Sequence, residues 1–403
     1  METEVARGMR LEEVKRLILS HHKHLSFNDL IEPNLTVFSE LRLMYSTNNI
    51  VSDFGYTSLH EIETVCSSLK KFFEGSGLLF FSEDLYKKKE DNHIPLDYSL
   101  SLDSNVAEKF RIYENGGKVE PKDKFENLVW FIKKYQFTFD YGFFLLENFE
   151  FIEQNNERPF NTLRALKRCN PLNTYPIDRE EAGKLAIQTM YNLYNLSGHE
   201  VNSYFWQRRK ILYLILLGAI QINWETNGDV LLSLKRIVNF CLRKLGKFAN
   251  KEIYFAWKLF KYGNSLRFFD FVSQPSNKTL SRAKGMSWDL LAIEYQSSLA
   301  YNLSKDHNFF VPFFASFDNR FIELTRACPI RCMLFDDIAQ RAYTLFDDEL
   351  EFVLDLNDAI RTDNELLCKF TDPQERIRRS NLQLDNRQLN IQIANLEEAI
   401  NNI

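Results

Sequence analysis

Two strand-like segments, each running straight into an aspartate, stand on either side of a long stretch with helical spacing, and this arrangement limits the possible folds more than any other feature. The first is Tyr98-Ser-Leu-Ser-Leu-Asp103-Ser-Asn-Val106; the second is Phe313-Phe-Ala-Ser-Phe-Asp318-Asn-Arg-Phe321, preceded by Gly285-Met-Ser-Trp-Asp289-Leu-Leu-Ala-Ile293. Each puts an acid where a strand ends or a helix begins. In an α/β sheet the carboxyl ends of parallel strands open on one crevice, so acids distant in sequence meet there. The chain therefore predicts an α/β fold with a parallel sheet. Carboxylates gathered at its edge would form a site for a hard divalent cation.

The stretch between them, Ile177 to Gly263, is almost entirely helical in spacing, with Asp178 before Glu180-Glu181 as an N-cap. Its apolar run Ile211 to Ile222 follows Arg208-Arg209-Lys210 and is shorter than the roughly 20 residues that cross a bilayer. That run reads as a buried helix. Met1-Glu-Thr-Glu lacks the apolar segment of a signal peptide. The expectation is a soluble, cytoplasmic protein with no membrane partner. At 403 residues the chain exceeds one compact core, and its 35 Phe supply a substantial interior. A net charge of −5 excludes a uniformly basic nucleic-acid coat but leaves room for a local positive groove. The six cysteines show no CxxC spacing and read as free thiols, and Cys328 and Cys332 lack the second pair that a tetrahedral zinc site needs.

The expected organisation has five parts: a helical N-terminal region (1–94), a strand-bearing part (95–152), a helical insertion (153–276), a second strand-bearing part (277–345) and a helical tail (346–403). In the first, Leu11, Val14, Leu17 and Ile18 form one apolar stripe and Leu59, Ile62, Val65 and Leu69 another. Strands are expected near 309–317 and 330–335, with a helix at 287–303 before them. In the tail, Asp372-Pro373-Gln-Glu375 combines an N-cap, a first-turn Pro and a capping-box acid. The seam that follows, Leu382, Leu389, Ile393, Leu396, Ile400 and Ile403 with Asn386 at an a position, fits a parallel coiled coil and a homodimer through this helix. It fits equally an amphipathic helix docked on its own domain.

Asp103, Asp289 and Asp318 are the first candidates for metal ligands. Glu147, on an otherwise apolar helix face, is the fourth, with Asp140 and Glu252 as rivals. Each acid also has a structural use, since an Asp before a helix caps it. Asp336 and Asp337 read as turn residues. Arg282 and Lys284, just upstream of Asp289, are candidates for contacts to a substrate backbone, although a solvated loop explains them as well. His21, His22 and His24 fit a solvated helix face better than a metal site.

Taken in order, the motifs resemble those of the PIN-domain nucleases. Leu102-Asp103-Ser104-Asn105-Val106 is similar to that family's first strand end, Leu146-Glu147-Asn148 to its helical Glu, Ser287-Trp-Asp289-Leu-Leu-Ala292 to its third element, and Ser316-Phe-Asp318-Asn-Arg-Phe321 to its last. The resemblance covers 96–152 and 277–337. It implies a PIN-like parallel sheet flanked by helices, with a large all-α insertion and helical N- and C-terminal extensions. The long segment between Glu147 and Asp289 departs from the family and leaves Glu147, Asp140 and Glu252 open as the second acid.

The resemblance further implies that Asp103, Glu147, Asp289 and Asp318 hold Mg²⁺ or Mn²⁺, whose bound water attacks a phosphodiester. Ser104, Asn105 and Ser316 would orient the ligands. The implied protein is a metal-dependent endoribonuclease, with RNA ahead of DNA as substrate and 5′-phosphate and 3′-hydroxyl products. A toxin or defence role, with an antitoxin or regulatory partner, follows from family habit. The competing expectation is a PIN-like scaffold without chemistry that recruits partners. Arg16 and His21 also match the Arg-x4-His spacing of HEPN ribonucleases, from which Leu17 departs where a polar residue is usual.

Overall fold

Leu96 to Leu102 alternates polar and apolar residues and ends in a buried run, which suits a strand entering the covered part of a sheet. In the computed structural model, which describes residues 4–48, 56–57, 69–71, 73, 77–88, 96–149, 157–170, 173, 177–196, 198–304 and 309–403, it is one of nine strands. These are β1 (Leu41–Thr47), β2 (Tyr56–Thr57), β3 (Leu69–Lys71), β4 (Gly77–Phe81), β5 (Leu96–Leu102), β6 (Thr138–Asp140), β7 (Phe309–Ala315), β8 (Ile330–Asp336) and β9 (Arg341–Phe346). They form two sheets, ordered β2-β4-β1-β8-β9 and β3-β7-β5-β6. In the second, β5 runs parallel to both β6 and β7, and β3 joins β7 antiparallel. The first is antiparallel at the pairings of β1 with β4 and β8 and of β2 with β4.

The α/β class and the parallel sheet agree with the sequence. The antiparallel sheet does not, because β1 and β4 fall within the region expected to be helical. Leu41-Arg-Leu-Met-Tyr-Ser-Thr47 is buried along its whole length, and Met44 between Arg42 and Ser46 breaks the polar face by which alternation would have revealed it. Of the second expected stripe, Leu59, Ile62 and Val65 lie outside the described residues, and Leu69 begins β3. β7 carries Pro312 in a buried strand; β3 pairs with Phe313 to Ala315, leaving Pro312 outside that ladder.

The chain divides into two compact units. One comprises Met1–His21, Trp206–Leu291 and Leu345–Ile403; the other comprises His22–Phe205 and Ala292–Thr344 and carries the strands. The expected insertion 153–276 is therefore split. Its helices Glu157–Arg168 and Arg179–Tyr191 belong to the strand-bearing unit, where the first packs on Ser104–Glu114. From Trp206 onward it joins the N-terminal helix Glu4–Ser20 and the tail.

Within the strand-bearing unit the two sheets meet at Phe80 and Phe309, 5.0 Å apart, and Arg42 lies over the Phe309 and Phe335 rings while pairing with Asp337 at 2.6 Å. The later half of helix Thr279–Leu303 touches both sheets, through Tyr295 to Asp140 of β6, Ser297 to Thr344 of β9 and Tyr301 to Phe335 of β8.

In the helical unit, Val230–Lys244 packs against Asn250–Tyr262 and Glu349–Ile360. The buried Lys258 ammonium is paired with Asp348, which also accepts from the Tyr254 hydroxyl at 2.7 Å. The run Ile211 to Ile220 is buried throughout, inside helix Gly198–Thr226, and no helix among the described residues is long and apolar enough to cross a membrane.

Asp372 caps helix Pro373–Ser380 as expected, but that helix stops and a new one, Asn386–Asn401, starts behind Asp385. The proposed seam is therefore not one continuous helix. Leu389 and Ile400 are buried within the unit, the Gln392 amide donates to the Lys244 carbonyl at 2.9 Å, and the Tyr213 hydroxyl donates to Glu397 at 2.8 Å. Two residues of the seam, Leu389 and Ile400, thus serve docking on their own unit.

Candidate functional site

Register decides which acids meet. Leu102 of β5 pairs with Ala315 of β7, and Ser101 pairs with Asp140 of β6, so three parallel strands end level. Asp103 follows the first, Ser316 and Asp318 follow the second, and Asp140 closes the third. The carboxyl ends of β7, β5 and β6 thus lie side by side in one sheet.

Asp103 caps helix Ser104–Glu114 and accepts from the Asn105 side chain at 2.5 Å and from the Ser316 hydroxyl at 2.7 Å. Its own amide donates to the Ala315 carbonyl at 3.0 Å. Ser316 also accepts from the Asp318 amide at 3.1 Å, so one hydroxyl links the two strand-end acids. Asp318 caps Asn319–Ala327 by accepting from the Arg320 amide at 2.8 Å, with the Arg320 guanidinium 3.5 Å away. Burial pushes the Asp103 carboxyl above its ordinary pKa and the nearby Asp318 charge adds to this, more than the Ser316 and Asn105 hydrogen bonds recover.

Ser104 makes the second link. Its hydroxyl donates to Glu147 on helix Gly142–Asn148 and accepts from the Asn148 amide at 2.9 Å. Glu252 is elsewhere: it belongs to the helical unit, is buried there and pairs with Arg208. Asp140 accepts from Ser101 at 2.7 Å, from the Gly142 amide at 3.2 Å and from the Tyr295 hydroxyl at 3.3 Å, and burial raises its pKa. Gly142 is needed here because a Cβ would collide with the Tyr295 hydroxyl. Beside it, Lys167 holds its ammonium 4.0 Å from the centre of the Tyr141 ring, with no ion pair among the described residues. Burial lowers the pKa of that ammonium.

Asp289 stands differently. Helix Thr279–Leu303 begins well before the expected position 287, so Asp289 is an interior helical residue and not an N-cap. By residue range it belongs to the helical unit, whereas Asp103, Glu147 and Asp318 belong to the other. Arg282 and Lys284 are also in the helical unit, and neither is a bare loop cation. Arg282 lies over the Phe271 ring and donates to the Phe271 carbonyl at 3.2 Å, and Lys284 pairs with Glu397 at 3.2 Å. Asp336 accepts from the Ala339 amide at 2.9 Å as a turn residue does.

The oxygens around Asp103, Glu147 and Asp318 suit Mg²⁺ or Mn²⁺ in kind, and a cation would relieve the cost that holds the Asp103 carboxyl up. In number they fall short, for among the described residues no three His, Cys, Asp or Glu side chains converge as a metal-ligand group. Sequence reasoning missed Tyr295 and Lys167, which reach the site from other helices and carry no local motif. The adjacent Asp140-Tyr-Gly142 was the one available signal, since a glycine after a strand-end acid marks a close approach. No family model matches the chain, and no curated protein or solved structure matches it either.

Proposed function

We propose that the strand-end crevice is the active site of a metal-assisted phosphodiesterase acting on nucleic acid, RNA ahead of DNA. The observation that supports this most is the pair of serine links. Ser316 bonds the Asp103 carboxylate and the Asp318 backbone amide, and Ser104, next to Asp103 in the chain, bonds Glu147, so three of the four motif acids are tied to two neighbouring serine hydroxyls. Asp103 and Asp318 would hold Mg²⁺ or Mn²⁺, which when bound supplies a hydroxide by lowering the pKa of water. Ser104 fixes the direction of the Glu147 carboxylate. Asn105 and Ser316 hold that of Asp103. Lys167, which has no acidic partner among the described residues, is available to a substrate phosphate. Asp289 enters the set on the motif resemblance alone, as does a toxin or defence role with a regulatory partner.

A second reading, a PIN-like scaffold without chemistry, draws on the capping duties of Asp103 and Asp318 and on there being no group of three converging acids among the described residues. Incubation with mixed RNA and single-stranded DNA in Mg²⁺ or Mn²⁺, repeated in EDTA, separates the two. Cation-dependent cleavage supports the enzyme, and inertness supports the scaffold.

A further inference from the structure

Helix Val230–Lys244 of the helical unit places Arg236, Asn239, Phe240, Arg243 and Lys244 at i, i+3, i+4, i+7 and i+8, which is one face of a helix. With Ile222 from helix Gly198–Thr226 they line a pocket of about 370 Å³, within the size range of small-molecule sites. The floor is apolar. Ile222 is buried, and the Phe240 ring lies so close to Gly218 that a Cβ there would come within 2.8 Å of it.

The rim is cationic and only partly neutralised. Arg236 pairs with Glu225 at 2.9 Å, but the side chains of Arg243 and Lys244 make no hydrogen bond or ion pair among the described residues. Cations near a helix carboxyl end usually serve its free carbonyls. Here other donors are already present: Gln392 donates to the Lys244 carbonyl at 2.9 Å, and Arg379 donates to the Gly246 carbonyl at 2.8 Å. Two adjacent positive charges are thus left over beside an aromatic face.

A cation-aromatic-cation stripe of this kind suits an anion that carries a flat ring. A phosphate meets Arg243 and Lys244 while a base stacks on Phe240, the combination by which single strands are held without sequence preference. We infer that this pocket binds a nucleoside phosphate within a single-stranded nucleic acid. The inference uses side chains of the helical unit alone and does not require the strand-end acids to be catalytic.

Anisotropy of a short fluorescein-labelled single-stranded RNA with the full chain in EDTA tests it, since binding is then read without metal-assisted cleavage. Arg243→Glu and Lys244→Glu, both at exposed positions, are each expected to weaken binding about tenfold and to lower the salt slope by about one. Phe240→Leu keeps the apolar floor and should weaken binding roughly fivefold with the salt slope unchanged. AMP should compete far less well than unlabelled RNA. Affinities within twofold of wild type in both charge reversals would overturn the assignment. AMP competing as strongly as the strand would overturn it too, by making this a site for free nucleotide.

Discussion

At the scale of single residues, the two rivals for the second acid have different surroundings and should fail differently. Glu147→Gln is expected to cut cation-dependent cleavage at least tenfold with little change in melting temperature. Glu252→Gln removes the partner of Arg208 at a buried site and should cost about 3 kcal/mol of stability, leaving cleavage by the folded fraction intact. The reverse pattern would move the site.

Asp140 offers a test of sign. Its pKa is raised, so its contribution to stability is full below the ordinary carboxylate value and is lost as pH rises through the folded value. Asp140→Asn keeps an acceptor for Gly142 and Tyr295, and the Ser101 hydroxyl can reverse to accept from the new amide. In EDTA at neutral pH the variant should melt above wild type, and the gap should close in acid. A gap independent of pH would show that Asp140 carries no buried-charge cost. Glu349 behaves alike in the helical unit: burial pushes its carboxyl up to about 7 while it accepts from the Phe346 amide. Glu349→Gln should stabilise the protein above pH 7 and have no effect below about pH 4.5, as melts across that range will show.

Asp103, Ser104, Asn105, Ser316 and Asp318 were legible in sequence because a strand end followed by a helix cap is a local pattern. Tyr295 and Lys167 were not, because they arrive across the fold from helices whose own spacing announces only a core.

At the scale of elements, the tail helix separates local from tertiary information. The cap at Asp372 follows from the adjacent Pro373 and Glu375, but the partner of the later helix Asn386–Asn401 does not, since one apolar stripe fits a second copy or its own unit. Burial of Leu389 and Ile400 within the chain gives a definite expectation. Leu389→Ala should cost about 2–4 kcal/mol without altering the mass in sedimentation, and deletion of 386–403 should lower stability. A halved mass with unchanged stability would instead restore the coiled-coil dimer. Strands β1 and β4 show the opposite failure. Buried on all sides, they carry at most a broken form of the alternation that reveals a half-exposed strand, and the pairing of β1 with β8 joins residues far apart in sequence.

At the scale of the whole molecule, the helical stretch that divides the strand-bearing segments was legible, and its allegiance was not. Residues 157–205 belong with the strands because Glu157–Arg168 packs on the helix that Asp103 caps, a contact with no trace in the local pattern. We propose that the three level strand ends make a hydrolytic centre. The most direct test of this claim is the cleavage of mixed RNA and single-stranded DNA by wild type, Asp103→Asn, Asp318→Asn and Asp289→Asn, each with Mn²⁺ and with EDTA. Wild type should cut only with the cation, and Asp103→Asn and Asp318→Asn should lose at least a hundredfold of that activity while remaining folded, on the order expected for removing a charged group from a catalytic centre. Full activity in Asp289→Asn alone would remove that residue from the set and leave the claim standing. Cleavage that persists in EDTA, or undiminished cutting by both Asp103→Asn and Asp318→Asn, would contradict it.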